Sequence, residues 1–401
     1  MVLKSEIEKA FLLQQQKIKR SKQAYTEREK IKTVALDTGF IQVISGIRRC
    51  GKSTLMRFLM SNYTKTVFFN FEDPRIVNFE VADFDKLDEI IPLETEAYFF
   101  DEIQNVPQWE VYIRQLHDDG KKVFVTGSNA SLLSKELGTR LTGRYLNTEL
   151  FPFSYQEYLN FEKKEVGENS IKAYLKMGGF PEYLKSKNPE VLHNLLKDIV
   201  LRDIAVRYSI RNTKVLLDIV LYLLSNVSKE MTYNSLRKVF QVGSTHTVVD
   251  YLTWAEDAYL LFFVQKFSWS AKRMAVNPRK VYAIDNGFID VNSLSFSEDK
   301  GRVLENAVFL FLRNKGQKMY YFKEKYECDF VLFTKKKCTK AVQVCQEITT
   351  DNQPREFNGL LEAMNYFNLK EGIIITQNQK DEFQIENKTV KLIPCFEYFL
   401  A

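Results

Sequence analysis

The sequence predicts an α/β fold built on a parallel β-sheet, because from Gly39 onward apolar runs of strand length alternate with helical patterns. The candidate strands lie at 40–44, 66–71, 97–101, 122–126 and 145–150. A glycine-rich stretch follows the first run and opens a helix, and the third run ends in two adjacent acids. The ends of parallel strands meet at one edge of a sheet, where ligands bind. We therefore expect a nucleotide-binding domain at 36–170.

Length and composition suggest several domains, since the chain has 401 residues, 45% of them hydrophobic. The expected domains are a basic N-terminal helix at 1–35, the nucleotide-binding domain at 36–170, a helical domain at 171–265 and an α/β domain at 266–401. The net charge of +6 permits an anionic partner without demanding one. The five cysteines lack C-x-x-C spacing, so a reducing cytoplasm fits best. The apolar runs are too short to cross a bilayer.

A phosphate-binding motif occupies residues 46–53, which read GIRRCGKS and match G-x-x-x-x-G-K-[ST] at each fixed position. Such a loop points several backbone N–H groups at one anion beside a helix N-terminus. The expected ligand contacts come from Gly46, Ile47, Arg48, Arg49, Cys50, Gly51, Lys52, Ser53 and Thr54. Lys52 is expected to neutralise the β- and γ-phosphates of ATP, and Ser53 to ligate Mg²⁺. A chance strand-to-helix turn is disfavoured, because an apolar strand precedes the motif and a helix-forming segment follows it, as a phosphate-binding loop requires.

A pair of acids forms the second motif, about 50 residues after the loop, where the apolar run 97–100 ends in Asp101 and Glu102. Both carboxylates are expected at the sheet edge that carries the phosphate-binding loop. Asp101 would hold Mg²⁺ through water, and Glu102 would polarise the attacking water as a general base. The pair is weak evidence alone, but after a matching loop it predicts a nucleotide hydrolase.

Polar and basic residues around the fourth and fifth strands complete the expected site. Ser128 and Asn129 follow the fourth run and are candidate nucleotide sensors, with a plain turn as the alternative. Arg140 and Arg144 precede the fifth run. We favour Arg144 as a finger that reaches the γ-phosphate of a neighbouring subunit in a homo-oligomer. Either arginine could instead be a surface or fold-stabilising charge.

A resemblance to a family of prokaryotic AAA+ superfamily ATPases rests on the segments GIRRCGKST, AYFFDEIQ, VFVTGSNA and LTGRY, followed by LFPFSYQEY at 150–158. The segments GGFPEY at 178–183 and LRDI at 201–204 also fit that family, so the resemblance extends from about residue 36 to the end. In the family, the ATPase module precedes a domain of unknown function. The resemblance implies ATP binding and hydrolysis.

The region 171–265 predicts helices at 191–204 and 214–226, then a short helix, a second helix and a strand hairpin. This order is typical of a winged helix, whose second helix can enter a DNA major groove. The residues expected near bases or phosphates are Ser244, Thr245, His246 and Thr247. The basic residues expected beside them are Arg237, Lys238, Lys272, Arg273, Arg279 and Lys280. Winged helices also dock proteins, which leaves a protein partner open.

The order of elements in the last segment resembles the restriction-endonuclease-like fold, in which acids cluster around a divalent metal. Glu305, Asp329 and Gln343 match the three positions of that cluster. Cys345 stands where the fold has a lysine, so no ammonium is expected to activate water there. Nuclease activity is therefore disfavoured, and a degenerate domain that is DNA-shaped or protein-binding is expected. Alternatively, Glu305 and Asp329 only cap or pair within the fold.

Three functions follow from these patterns. The favoured one is an AAA+ ATPase that couples its nucleotide state to nucleic acid, most of all DNA. The alternative is an ATP-dependent regulatory switch that acts on a protein. An ATP-regulated nuclease is the third. The basic helix at 1–35 is either a solvated arm or a contact for nucleic acid or a partner.

Overall fold

The computed structural model describes residues 1–20, 25–36, 38–128, 141, 143–294 and 299–401. These residues divide into two compact units. The first unit comprises Met1–Phe151 and Asp257–Tyr259, and the second comprises Pro152–Glu256 and Leu260–Ala401. Within the described ranges, no helix combines the length and the apolar character that crossing a membrane requires.

The first unit alternates strands with helices, as the sequence predicts. Its elements are α1 (Lys4–Arg20), β1 (Ile41–Ser45), α2 (Lys52–Met60), β2 (Thr66–Asn70), α3 (Phe84–Asp88), β3 (Ala97–Asp101), α4 (Trp109–Asp118), β4 (Lys122–Gly127) and β5 (Tyr145–Glu149), with 3-10 turns at Glu29–Thr33, Pro74–Ile76, Val81–Asp83 and Ile103–Asn105. All of the pairings between its strands are parallel. The predicted α/β fold with a parallel sheet is therefore confirmed.

The strand order β2-β3-β4-β1-β5 places the two predicted motifs at one edge of this sheet. Ser45, the last residue of β1, lies opposite Gly127 at the end of β4. Asn70, at the end of β2, lies opposite Asp101 at the end of β3. Residues that follow these strands therefore share the carboxyl edge of the sheet, where open α/β folds bind ligands.

Helices cover both faces of this sheet, so its central strands are buried and mostly apolar. Every residue of β1 and β3 is buried, as expected when both faces are covered. On one face, α3 and α4 pack onto the strands, with Phe84 stacked on Tyr112 at 3.9 Å between ring centroids. On the other face, Phe99 stacks on Phe124 at 4.5 Å. The buried strands hold the functional edge in a fixed register.

The predicted single helix over 1–35 is wrong. Helix α1 is described to Arg20, residues 25–28 are not helical, and a short 3-10 turn follows at Glu29–Thr33. Moreover, α1 is not a solvated arm. Phe11 packs against Phe69 of β2 with 6.5 Å between ring centroids, and the Gln14 side-chain amide donates to the Asn70 carbonyl at 3.2 Å. The apolar face of α1 therefore belongs to the core of the first unit.

The second unit begins with a helical region. Its elements are α5 (Tyr155–Glu162), α6 (Glu168–Met177), α7 (Pro181–Ser186), α8 (Glu190–Asp198), a π-helix (Ile199–Val206), α9 (Thr213–Leu224), β6 (Glu230–Met231), α10 (Tyr233–Val239), α11 (Thr245–Asp257), β7 (Leu261–Gln265), α12 (Ala271–Val276), β8 (Arg279–Ala283) and α13 (Asn286–Asn292). An antiparallel sheet in the order β6-β8-β7 accompanies α10 and α11.

The buried carboxylate of Asp285 explains the double glycine of the segment at 178–183. Its oxygens accept the backbone N–H groups of Gly179 at 2.6 Å and Gly287 at 2.8 Å. A Cβ at Gly178, where φ is +68°, would lie 2.1 Å from the same carboxylate. Burial raises the pKa of Asp285 to about 7, against the effect of these N–H groups. Glycine is needed here because the backbone must approach the acid this closely.

A mixed six-stranded sheet forms the rest of the described second unit, in the order β13-β14-β12-β11-β10-β9. Its elements are α14 (Lys300–Asn314), β9 (Lys318–Lys323), β10 (Glu327–Thr334), β11 (Lys337–Val344), α15 (Gln353–Tyr366), β12 (Glu371–Thr376), β13 (Asp381–Ile385), β14 (Lys388–Pro394) and α16 (Cys395–Tyr398). Phe357 and Leu360 of α15 pack into its apolar core.

Candidate active site

The loop between β1 and α2 has the backbone shape that a phosphate-binding loop needs. Gly46 has φ 148°, and a Cβ there would lie 2.1 Å from the Leu150 carbonyl oxygen, so no side chain fits. Gly51 adopts the left-handed conformation and precedes the first turn of α2. Arg49, also left-handed with φ 63°, turns the chain between them. The N-terminal amides of α2 therefore face the loop, a ready-made position for an anion.

Lys52, the first residue of α2, is buried at the centre of this loop. Its ammonium donates to the carbonyls of Gly46 at 3.0 Å and Ile47 at 3.1 Å and lies 3.5 Å from Glu102 Oε1. Burial, the largest single effect, would lower the pKa of Lys52, but Glu102, Cys50 and Asp101 together outweigh it and raise that pKa. The lysine is therefore a fixed positive charge at the loop.

Asp101 is fully buried and is held by side chains from two other elements. Its carboxylate accepts from Thr126 of β4 at 2.6 Å and from Asn70 of β2 at 2.8 Å. Ser53 of α2 lies near enough to this carboxylate to favour its ionised form. Burial and the neighbouring Glu102 nevertheless raise the pKa of Asp101. The two residues of the predicted metal pair, Ser53 and Asp101, therefore lie near each other.

Glu102 has a strained backbone that turns its side chain toward the loop. Its φ is 53°, in the left-handed region that residues other than glycine rarely adopt, and its N–H is held by Thr126 Oγ1 at 2.9 Å. The Gln104 side-chain amide donates both to Glu102 Oε2 and to Ser128 Oγ. Burial, the largest single effect, would raise the pKa of Glu102, but Lys52, Gln104 and Arg48 together lower it. Gln104 therefore links the predicted base to the predicted sensor Ser128.

The other loop residues have distinct roles in the structure. Ile47 is fully buried, and the buried Cys50 thiol donates to the Leu150 carbonyl at 3.4 Å. Arg48 pairs with Glu72 at 2.8 Å, whereas Arg49 is exposed and Thr54 is half-buried in the first turn of α2. Of this group, Arg48 and Arg49 are the cations on the surface beside the loop.

Arg144, the favoured arginine-finger candidate, lies away from the loop of its own subunit. Arg144 precedes β5, and its guanidinium, 41% exposed, pairs with Asp118 at 2.8 Å. Since Ile41 lies opposite Tyr145, Arg144 is at the amino edge of the sheet, and the loop after Ser45 is at the carboxyl edge. Arg140 and Asn129, the other predicted candidates, lie outside the described residues.

Arg28 is a component of the site that sequence reasoning missed. It is 5% exposed, and its guanidinium donates to the Cys50 carbonyl at 2.8 Å and to the Phe151 carbonyl. It therefore ties the phosphate-binding loop to the chain that follows β5. Nothing in its local sequence distinguishes Arg28 from the exposed basic residues near it, because both of its partners are distant in the chain.

The acids predicted around a metal in the second unit have a different partner. Lys280 of β8 is 1% exposed, and its ammonium contacts Glu305 and Asp329 at 3.0 and 2.8 Å. Cys345 does stand at the position of the missing lysine, but Lys280 of another strand brings an ammonium to these acids, so Glu305 and Asp329 pair within the fold. The assignment of Lys280 to a nucleic-acid surface is therefore wrong. Gln343 instead accepts the Asp329 N–H at 3.2 Å, and the Cys345 thiol donates to a backbone carbonyl.

These acids do not fit a divalent metal as they stand. Among the described residues, no group of three or more histidine, cysteine, aspartate and glutamate side chains is arranged to hold one. Burial and Asp329 raise the pKa of Glu305 to about 8, while the surrounding carboxylates raise that of Lys280 in spite of its burial.

Two stretches of the chain match known protein domains. Residues 39–159 match the AAA domain, and residues 168–297 match a domain of unknown function. The uncharacterized protein MJ1544 of Methanocaldococcus jannaschii is 34% identical over 401 residues, with 90% of this chain and 88% of that protein covered. An uncharacterized protein of Haemophilus influenzae is 31% identical over 320 residues, with 74% of this chain and 80% of that protein covered.

This chain belongs to the same protein family as MJ1544. The predicted AAA-type nucleotide-binding domain is confirmed by the AAA match, which covers the loop, the acid pair and Arg144. Among solved structures, the replication initiator DnaA bound to AMPPCP and single-stranded DNA aligns with 57% of this chain and 85% of its own length, at 12% identity. Its TM-score of 0.30 is too low to support a statement about function.

The AAA site of this family member fits a nucleotide with Mg²⁺. Gly46 and Gly51 have positive φ angles that give the loop its tight turn before α2, and Lys52 supplies a buried positive charge beside it. Ser53 and Asp101 bring together the oxygen ligands that Mg²⁺ prefers. The buried Oε1 of Gln104 has no hydrogen-bond partner among the described residues, so the site has an unused acceptor beside Glu102.

We expect Arg28→Met to weaken nucleotide binding, although Arg28 is not a predicted phosphate contact. The change leaves two buried carbonyls without their donor, which costs about 1–3 kcal/mol. Affinity for a fluorescent ATP analogue should fall about fivefold or more, and the melting temperature should fall as well. Lys32→Met, at an exposed position of the same segment, is the control. Equal affinity in the two variants would contradict the role of Arg28.

Proposed function

We propose that this protein is a Mg²⁺-dependent ATPase of the AAA+ type. The observation that supports this most directly is the convergence of Lys52, Ser53, Asp101 and Glu102 at the carboxyl edge of one parallel sheet. Phosphates bind to backbone amides at helix N-termini. A buried lysine beside them adds a positive charge, and because its side chain is already held in place, it loses little further conformational entropy when the phosphate binds. The AAA match over residues 39–159 supports the same function.

Each group of residues has a separate role in the proposed reaction. The amides of the loop and Lys52 bind the phosphate chain and stabilise the charge that develops on it. Mg²⁺, when bound by Ser53 and Asp101, neutralises the phosphate oxygens. Glu102, whose pKa is lowered by Lys52, is ionised at neutral pH and can accept a proton from the attacking water. Gln104 and Ser128 position the Glu102 carboxylate, and Asn129 is the further sensor in this proposal.

We further propose that the site is completed in a homo-oligomer. Arg144 is partly exposed at the edge opposite its own loop, so it is available to another subunit once it leaves Asp118. An arginine contributed in this way stabilises the transition state of phosphoryl transfer. The contact with Asp118 would then position Arg144 for the neighbouring subunit, in addition to any effect on the stability of the fold.

The second unit suggests a nucleic-acid partner, with DNA favoured. The order α9, β6, α10, α11, β7 and β8, with its small antiparallel sheet, supports a winged-helix assignment for part of 171–265. Lys272 and Arg273 are exposed on α12, between the two hairpin strands, where a wing contacts phosphates. The order of elements after α13 supports the restriction-endonuclease-like assignment of 266–401 in the same way.

A protein partner is the second candidate, and the charge of α11 favours it. This helix carries Asp250 and Glu256 and has no lysine or arginine. His246, on its exposed face, lies 3.0 Å from the Asp250 carboxylate. A helix with acids on its surface is poorly suited to a phosphate-lined groove. In this alternative, the nucleotide state would control how the second unit engages another protein.

The proposed roles of Lys52 and Glu102 separate binding from hydrolysis. Lys52→Ala should weaken ATP binding by about 100-fold or more, because a charged hydrogen-bond donor is lost from a buried site. Glu102→Gln should bind ATP but hydrolyse it about 100- to 10,000-fold more slowly. Isothermal titration and phosphate release measure the two quantities. Lys65→Ala and Glu94→Gln, both exposed, are the controls. Normal turnover in Glu102→Gln would overturn its assignment as base.

The trans role of Arg144 can be tested by mixing inactive subunits. Arg144→Ala should lower turnover by about 100-fold or more while leaving ATP affinity unchanged. Mixing Arg144→Ala with Lys52→Ala subunits should restore part of the turnover through hybrid sites. Asp118→Ala removes the partner of Arg144 and should keep turnover. Absence of recovery on mixing, or equal loss in Asp118→Ala, would favour a structural role for Arg144.

The choice between nucleic acid and protein rests on a binding series. Fluorescence anisotropy with single-stranded, duplex and forked DNA should show affinity that falls steeply as salt rises from about 50 to 200 mM. Lys272→Ala/Arg273→Ala should weaken binding and reduce the salt slope by about 2. Lys185→Ala/Lys197→Ala, exposed elsewhere in the second unit, is the control. DNA that neither binds nor changes ATP turnover would favour the protein partner.

A further inference from the structure

One ammonium satisfies three carboxylates inside the second unit. The Lys280 Nζ lies 3.0 Å from Glu305 Oε1, 2.8 Å from Asp329 Oδ1 and 2.8 Å from Glu327 Oε1. The acids come from α14 and β10, whereas the lysine comes from β8. Only Glu327 is substantially exposed, at 32% of its side chain. Since an ammonium has three N–H donors, each of them has an acidic acceptor here.

We propose that Lys280 is the permanent cation of this acidic site and takes the central position that a divalent metal ion would occupy among such carboxylates. Buried carboxylates need a cation, because an uncompensated buried charge is strongly destabilising. Metal-dependent sites meet this need with Mg²⁺ or Ca²⁺ bound by carboxylate oxygens. Here the chain supplies the charge itself. The second unit therefore folds without a metal at this site and acts by binding rather than by metal-dependent cleavage.

The surroundings keep the ammonium in place. Lys280 is within β8, where its backbone pairs with Val264 on one side and Glu230 on the other. The remaining oxygen of Asp329 accepts the Val344 N–H at 2.9 Å. The paired strand fixes the backbone of Lys280, and burial together with its three acidic partners holds the ammonium in place. The site is therefore closed by the fold and is not a switch.

A second set of contacts attaches β8 to α14 around the same site. The Tyr282 hydroxyl donates to Glu305 Oε1 at 2.7 Å. The Asn306 side chain accepts the Ala283 N–H at 2.8 Å and donates to the Ala283 carbonyl at 3.2 Å. The charge cluster thus joins the small antiparallel sheet to the elements of the larger one. Loss of the ammonium should loosen this junction as well as leave the acids unpaired.

The distances also predict which metal could replace the ammonium. The three oxygens surround Nζ at 2.8–3.0 Å. Ca²⁺ binds oxygens at about 2.3–2.6 Å and tolerates irregular geometry, whereas Mg²⁺ requires about 2.0–2.1 Å in an octahedron. A site emptied of its lysine needs only a small contraction to hold Ca²⁺. Ca²⁺ and its luminescent substitute Tb³⁺ are therefore the appropriate probes, and Tyr282 is near enough to sensitise Tb³⁺ emission.

The test compares wild type with Lys280→Ala in nucleotide-free buffer containing either EDTA or millimolar Ca²⁺. In EDTA, Lys280→Ala should melt about 5–10 °C below wild type, because three carboxylates lose their cation. Ca²⁺ should recover about 2–5 °C of that loss. Tb³⁺ emission excited through tyrosine should appear in Lys280→Ala and disappear when Asp329→Asn is added. ATP affinity should stay unchanged.

Two controls isolate the central ammonium. Lys323→Ala removes a partly exposed lysine that also pairs with Glu327, and it should show no Ca²⁺ response. Wild type should not respond either. A Ca²⁺ response in wild type that Asp329→Asn abolishes would overturn the proposal, because metal and ammonium would then coexist. A folded Lys280→Ala protein that ignores both ions would overturn it as well.

A second comparison covers the case in which Lys280→Ala does not fold. Lys280→Met fills the space of the side chain without its charge, so it isolates the electrostatic effect. Adding Glu305→Gln removes one of the acids that the ammonium satisfies. The double variant should then be more soluble and melt at a higher temperature than Lys280→Met. No gain from the second change would overturn the assignment of Lys280 as the charge that the acids require.

Discussion

The hydrogen bonds to Asp101 hold the active edge of the first unit together. Its carboxylate accepts hydrogen bonds from Asn70 of β2 and Thr126 of β4, and Ser53 of α2 lies nearby. A buried acid needs this number of donors, since each oxygen would otherwise lose its hydration without compensation. The same contacts set the spacing between the acid pair and the phosphate-binding loop. The same hydrogen bonds therefore fix both the register of the strands and the positions of the site residues.

Strain at Glu102 is a consequence of that arrangement. Asp101 is committed inward to the sheet, so the next side chain reaches Lys52 only if the backbone turns sharply. The left-handed conformation at Glu102 provides this turn, and the bond from its N–H to Thr126 maintains it. Such strain persists where the surrounding structure over-determines it. Glu102 thus faces Lys52 and the loop, whereas the Asp101 carboxylate is bonded to Asn70 and Thr126.

Sequence patterns predicted the elements and residues that are close together in the chain. The first strand, the loop and α2 are contiguous, and the glycines of the loop have an unambiguous physical meaning. Arg28 and Lys280 could not be found in this way. Arg28 binds a carbonyl 123 residues away, and Lys280 contacts an acid 49 residues away, so only the folded chain brings each to its partner. In sequence both are ordinary basic residues near others of their kind.

The two buried lysines show how the same side chain serves opposite purposes. Lys52 contacts one carboxylate and two carbonyls at the open edge of a sheet, so phosphate oxygens can compete for its N–H groups. Lys280 contacts three carboxylates and is held within a paired strand, so each of its donors is already used by an anion. Exchange at the first site costs little, because neutral carbonyls are weaker acceptors than phosphate. Replacing the acceptors of Lys280 would leave three acids without their cation. Lys52 is therefore suited to binding a ligand reversibly, and Lys280 to stabilising the fold.

The position of Arg144 leads to a statement about assembly. It precedes β5, which runs parallel to β1 from Tyr145, opposite Ile41, to Glu149, opposite Ser45. Five residues of extended strand, about 17 Å, therefore separate it from the loop of its own subunit. That distance exceeds the length of an arginine side chain. An Arg144 that contacts a γ-phosphate therefore contacts one bound to another subunit. Each chain would then contribute its phosphate-binding loop to one site and its Arg144 to a second site.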